Sequence, residues 1–108
     1  MDTNALQKVL LTPNYGITLN GRSFAVYNSL IHLMEINVLL DTCTVTDGLY
    51  IIITTSISCG TGQKYTMGFH GQTGKALARI IFENNNITIV NESSNNITGM
   101  MFYIILFC

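Results

Sequence analysis

The sequence predicts an all-β protein, an antiparallel β-sandwich of about eight short strands. Three observations predict it. The apolar segments are short, rich in Ile, Val, Thr, Tyr and Phe, and divided by Gly, Asn, Asp and Ser. Signals for helix starts and stops are nearly missing. Two dipeptides, Asn20-Gly21 and Asp47-Gly48, stand between alternating runs and tolerate the positive φ angles of a type I′ hairpin turn.

The elements follow in order. Pro13 lies near the start, where it interrupts no central strand. YGITLNGRSFAV, residues 15–26, reads as a hairpin about Asn20-Gly21. Residues 30–40 have period two. Leu30, His32, Met34, Ile36, Val38 and Leu40 form a core face, opposite a mixed face of Ile31, Leu33, Glu35, Asn37 and Leu39. Asp47-Gly48 turns the chain into YIIITTSI, residues 50–57. This run is apolar or β-branched throughout, so it reads as a central strand covered on both sides. Ala76, Ala78, Ile80 and Phe82 alternate with Lys75, Leu77, Arg79, Ile81 and Glu83, which predicts another strand. The turn Asn84-Asn85-Asn86, the run ITIVN, the loop NESSNN and a last strand over residues 99–107 complete the chain.

Composition limits the function. The 108 residues suit one domain. Only 10% are charged, against about 25% in ordinary domains. A surface this poor in charge is expected to be buried in part in a permanent oligomer. Net charge is −1, and Lys8, Arg22, Lys64, Lys75 and Arg79 are scattered. No basic footprint for nucleic acid is formed. MDTNALQKVLLT has no secretory-signal pattern and reads as the start of an excised fragment. MMFYIILFC is about half as long as a membrane helix, so no membrane insertion is expected. Cys43, Cys59 and Cys108 fit no metal spacing and no complete disulfide framework. Isolated buried thiols are expected, with a Cys43–Cys59 bridge as the alternative.

No motif carries chemistry. GFHGQTGKA, residues 68–76, superficially suggests a phosphate loop. That loop needs GxxxxGK followed by Ser or Thr, opening a helix. Here five residues separate Gly68 from Gly74, Ala76 replaces the hydroxyl, and a strand pattern follows. The stretch reads instead as a flexible connection. His32 reads as a satisfied core or interface histidine. Asp2, Glu35, Asp41, Asp47, Glu83 and Glu92 are dispersed, and no serine sits in a nucleophile motif. The chain is not expected to be an enzyme or to hold a metal or cofactor. Asn86, Asn91 and Asn96 each open an Asn-x-Ser/Thr triplet. In a chain this rich in Asn, Ile and Thr, these triplets are expected by chance.

YGITLNGRSFAV is similar to the repeat of adenovirus fibre shafts: an alternating strand, a turn with Asn-Gly or Asp-Gly, and a second alternating strand. Ile17 and Leu19 stand before the turn, Phe24 and Val26 after it. YNSLIHLMEINVLL resembles the opening strands of the fibre head, or knob. The Asn- and Ser-rich hairpin leading to MMFYIILF resembles its end. The likeness is one of pattern and order, and the shaft-like part covers residues 15–26 only. A chain this short resembles the compact heads of the atadenovirus type.

The resemblance implies a shaft-like segment over residues 1–26 and a head over residues 27–108, assembled as a homotrimer. It implies a virion protein of the fibre tip, present in the host nucleus during assembly, that binds a host cell-surface receptor, protein or glycan. Ile31, Leu33 and Leu39, with parts of the last strand, are then candidates for the trimer seam. Receptor contacts would lie on loops at residues 59–63, 68–75 and 91–96, with His70, Gln72 and Lys75 as first candidates. The alternatives are a phage or other viral fibre tip that binds glycans, a structural capsid protein, and a small secreted lectin-like monomer.

Overall fold

In the computed structural model, β1 (Leu6–Val9) and β2 (Leu11–Pro13) are two halves of one extended segment that changes partner at Leu10. The model describes residues 6–14, 17–42, 50–70, 74–93, 97 and 99–108. The other strands are β3 (Thr18–Leu19), β4 (Phe24–Asn28), β5 (Leu33–Thr42), β6 (Tyr50–Thr55), β7 (Thr61–His70), β8 (Gly74–Glu83), β9 (Asn86–Asn91) and β10 (Met101–Phe107). Their order is β1-β4-β5-β10-β7-β8-β9-β6-β2, with β3 beside β5 off this path. Every pairing is antiparallel.

The all-β expectation holds, but the layers differ from a two-sheet sandwich of about eight strands. Ten strands among the described residues form one sheet, nearly closed into a barrel. The cause is the β1–β2 segment. β1 pairs with β4 at one edge and β2 with β6 at the other, so one short stretch ties both edges together. Leu10 fixes the crossing: its N–H donates to Ser56 Oγ (2.9 Å) and its carbonyl accepts from Ser56 N–H (3.1 Å). A closed sheet leaves little free edge for unwanted pairing. Residues 6–26 therefore supply three strands and the start of a fourth, and the boundary drawn after Val26 falls inside β4.

Alternation builds the core. Met34, Ile36, Val38 and Leu40 of β5 point inward, as their spacing predicts, and meet Phe102, Ile104 and Leu106 of β10. Ala76, Ala78 and Ile80 of β8, Ile51 and Ile53 of β6, and Ile87 and Ile89 of β9 complete the lining. On β7, Gly68 leaves room for the Phe102 ring: a Cβ there would lie 2.5 Å from Phe102 Cε1. Gly68 is thus a packing glycine inside a strand. Of the expected flexible connection, residues 68–70 belong to β7 and 74–76 to β8, and residues 71–73 lie outside the described part. The run after Gly74-Lys75 is a strand, so there is no helix N-terminus to hold a phosphate.

Several local expectations are corrected. Asn20-Gly21 does make a turn, with Ser23 N–H donating to the Asn20 carbonyl (2.9 Å). It does not join paired strands. β3 and β4 both lie against β5, at Leu40–Thr42 and Leu33–Asn37 respectively. The Ser23 hydroxyl fills the gap in this ladder, accepting from Leu39 N–H (2.9 Å) and donating to the Leu39 carbonyl (3.2 Å). The Asp47-Gly48 turn lies outside the described residues.

β5 starts at Leu33, three residues later than expected. Leu30, Ile31 and His32 form the β4–β5 turn, because Asn28 Oδ1 accepts the Leu30 N–H (3.0 Å) and His32 takes a φ of 53°. His32 is therefore an exposed turn residue and not part of an apolar strand face. β6 ends at Thr55 and is covered on one face only: Ile51, Ile53 and Thr55 are buried, while Tyr50 and Thr54 are exposed.

The cysteines are not all isolated. Cys59 and Cys108 form a disulfide, with Cα atoms 4.3 Å apart, and Cys43 lies outside the described residues. This bond closes a weak seam. β7 and β10 pair at only two positions, Phe69–Met101 and Gly68–Phe102. Beyond them, side chains replace the ladder: Thr66 Oγ1 donates to the Tyr103 carbonyl (3.2 Å), and Lys64 Nζ donates to the Ile105 carbonyl. The disulfide then ties the residues just before β7 to the one just after β10.

Candidate functional site

Alternation that buries one row of side chains turns the next row outward. On four adjacent strands that outer row is apolar. Strand register places Phe24 opposite Asn37 and Asn37 opposite Tyr103. It also places Leu39 opposite Met101 and Met101 opposite Phe69. Phe24, Phe69, Met101 and Tyr103 remain 47%, 61%, 44% and 47% exposed. Single exposed hydrophobic residues are ordinary, but a contiguous face of them marks an interaction site.

Two polar groups sit within this face. Tyr103 O–H donates to Glu35 Oε2 (2.8 Å), so the phenol lies across β5. Between Tyr103 and Phe24, Asn37 Oδ1 is buried without a hydrogen-bond partner. An orphaned buried acceptor costs about 1–3 kcal/mol.

The bond to the Glu35 carboxylate, followed by burial and by the carboxylate's charge, holds the Tyr103 phenol above its ordinary value of 10.0. The bond stabilises the neutral phenol. Its contribution is therefore complete below pH ~10 and is lost as pH rises through the raised value. Ultraviolet titration of the five tyrosines should show a late-ionising component that Tyr103→Phe removes. Its persistence in that variant would assign it elsewhere.

A second outer row runs across β6, β9, β8 and β7: Tyr50, Val90, Arg79 and Tyr65. Tyr50 and Tyr65 are 58% and 59% exposed. Arg79 Nε donates to Glu92 Oε1 at 2.9 Å. With strands ~4.8 Å apart, the two phenols stand roughly 14 Å from each other. Two exposed phenols thus flank an arginine–carboxylate pair, and all these groups offer hydrogen bonds to a polar ligand.

The ends of the barrel differ. At one, the Leu30–His32 turn, the Asn84-Asn85 turn and the Cys59–Cys108 bond lie together: Cys108 N–H donates to the His32 carbonyl (2.8 Å) and Asn84 N–H to the Gly60 carbonyl (2.8 Å). The longer connections, after β5 and after β9, leave toward the other end, where β7 turns into β8. Gly99, at φ 77°, backs onto the His70 ring there: a Cβ on Gly99 would lie 2.9 Å from His70 Cδ2.

The residues singled out from sequence are distributed as follows. His70 and Lys75 both lie at the β7–β8 end, but their register sets them on opposite faces. Lys75 is opposite the outward Phe69, while His70 packs against Gly99. Gln72 lies outside the described residues. Of the three candidate loops, residues 68–75 and the chain leaving β9 share one end, and residues 59–63 lie at the other. Asn91 is fully buried, and its Oδ1 accepts from Ser93 N–H and Oγ (both 3.0 Å), so its triplet offers no surface acceptor. Asn86 is exposed and Asn96 lies outside the described part. Leu33 and Leu39 share the outer face of β5. Ile31 lies beyond its end, 60% exposed in the turn.

Sequence reasoning missed Phe24, Phe69, Met101 and Tyr103 as one surface. MFYIILF is apolar at every position, so its pattern does not say which face is outside.

A groove of about 450 Å³ opens beside Phe24, between the β1–β2 crossing and β3. Leu10, Leu11, Ile17 and Leu19 line it, with Lys8 the one cation among its lining residues. Among the described residues, no three His, Cys, Asp or Glu side chains gather as a metal site. Among the described residues no helix is long and apolar enough to cross a membrane.

The class defined by fold and surface is an all-β protein, an antiparallel sheet nearly closed into a barrel with an apolar outer face. Comparisons with protein-family models, with known proteins and with solved structures find no match.

Proposed function

We propose that this chain is a viral attachment module: the head of a fibre of the adenovirus kind, working as a homotrimer and binding a host cell-surface receptor. The observation that carries this reading is the outer apolar face of β4, β5, β10 and β7 on a chain with only 10% charged residues. Such a face is where another chain would sit. The trimer supplies it, and three copies on one head turn modest single-site affinity into avidity.

The receptor chemistry favoured by the surface is a glycan. Tyr65 and Tyr50, set about Arg79 and Glu92, offer ring faces and planar polar groups to a sugar.

The test is binding of labelled protein to animal cells and to a glycan array. Saturable binding is expected. The pair Tyr50→Ala and Tyr65→Ala should weaken it at least tenfold with an unchanged melting temperature, because both side chains are exposed. No binding to cells or glycans, with tight binding to virions, would replace this reading with a structural capsid protein. A monomer carrying sugar at Asn86 would replace it with a secreted lectin-like protein.

A further inference from the structure

We infer that the neighbouring copies meet on the outer face of β4, β5, β10 and the Phe69 end of β7, with the Asn37 amides of adjacent copies hydrogen-bonded to each other at its centre. This rests on the oligomeric reading above and specifies its contact. Register makes the face contiguous: Phe24, Asn37 and Tyr103 form one row, and Leu39, Met101 and Phe69 the next. At 47%, 61%, 44% and 47% exposure, Phe24, Phe69, Met101 and Tyr103 leave on the order of 400 Å² open. That equals the largest apolar patch of a typical monomer. It is about half of the ~800 Å² each partner buries in a stable interface.

A second copy is the occupant because of Asn37. Its Oδ1 is buried between Phe24 and Tyr103 with no partner. An apolar partner would leave that cost in place, and the carboxylate on the same face, Glu35, already accepts from Tyr103 O–H. A primary amide is both donor and acceptor, so it complements its own copy. Turning about its last side-chain bond as the two rings pack on the neighbour, each Asn37 donates Nδ2–H to one copy and accepts at Oδ1 from another. One polar residue within an apolar interface fixes register and copy number at some cost in stability.

The test is light scattering of Asn37→Asp across pH and protein concentration. Like charges brought together should weaken assembly at pH 8 by at least about 100-fold. Assembly should return as pH falls through the carboxylate titration. Asn37→Leu should stay assembled but lose its single defined mass. Met101→Lys, at a position already 44% exposed, should give a folded monomer by circular dichroism and carries the test if Asn37→Asp fails to fold. A wild type that is monomeric at every concentration overturns the oligomeric reading itself. A wild-type oligomer that Asn37→Asp and Met101→Lys leave intact overturns only this interface.

Discussion

Phe102→Ala should lower stability by about 3–5 kcal/mol, the largest effect expected of a single side chain here. Phe102 is fully buried, paired with Val38 on one side and Gly68 on the other. Its ring fills the space that the missing Gly68 side chain leaves open. β7 cannot supply an apolar side chain at that level, so truncation opens a cavity with no neighbour able to collapse into it. In a domain with about 5–15 kcal/mol in total, much of the fold is at stake. Urea unfolding measures it. Gly68→Ala should also destabilise, because its Cβ would fall 2.5 Å from the ring. In the double variant the two losses should not add, since the new methyl enters the vacated space. Additive losses would show that the ring and Gly68 do not share this space.

Cys108→Ser should cost about 4 kcal/mol, the loop-closure contribution expected of a bond spanning 49 residues. Its place in the sheet makes the loss local as well. Between the Gly68–Phe102 pair and the disulfide, only Thr66 and Lys64 bridge β7 to β10. Without the bond, the end of β10 should fray first, and amide exchange at Ile104–Leu106 should accelerate before the rest of the barrel opens. Cys59→Ser and the double variant should match Cys108→Ser, because each removes the same bond. Reductant should reproduce the effect in wild type and leave the variants unchanged. A wild type indifferent to reductant would refute the staple.

Much of the barrel was legible in the sequence wherever one face is apolar and the other is not. Met34, Ile36, Val38 and Leu40 alternate with Glu35 and Asn37, and they are the residues that face the core. The strand after Gly74-Lys75 was legible for the same reason. Closure into a barrel was not, because it depends on β1 and β2 choosing partners at opposite edges, and LQKV and LTP carry no signal of that choice. The Asn20-Gly21 dipeptide specified a turn but not which strands flank it. Ser23 and β5 decide that, through contacts distant in sequence. The disulfide was illegible because an odd count of cysteines does not say which pair meets. The outer face emerges only when register sets Phe24, Asn37 and Tyr103 side by side. Leu33 and Leu39, named from sequence as candidates for a trimer seam, share the outer side of β5, while Ile31 falls in the turn.

The most direct measurement is the molar mass of the purified chain by light scattering after gel filtration, repeated over a hundredfold dilution. A mass of about three times 11.9 kDa that persists on dilution is the expected result. A mass of one chain at every concentration would contradict the homotrimer, and with it the assignment of the apolar outer face to a neighbouring copy.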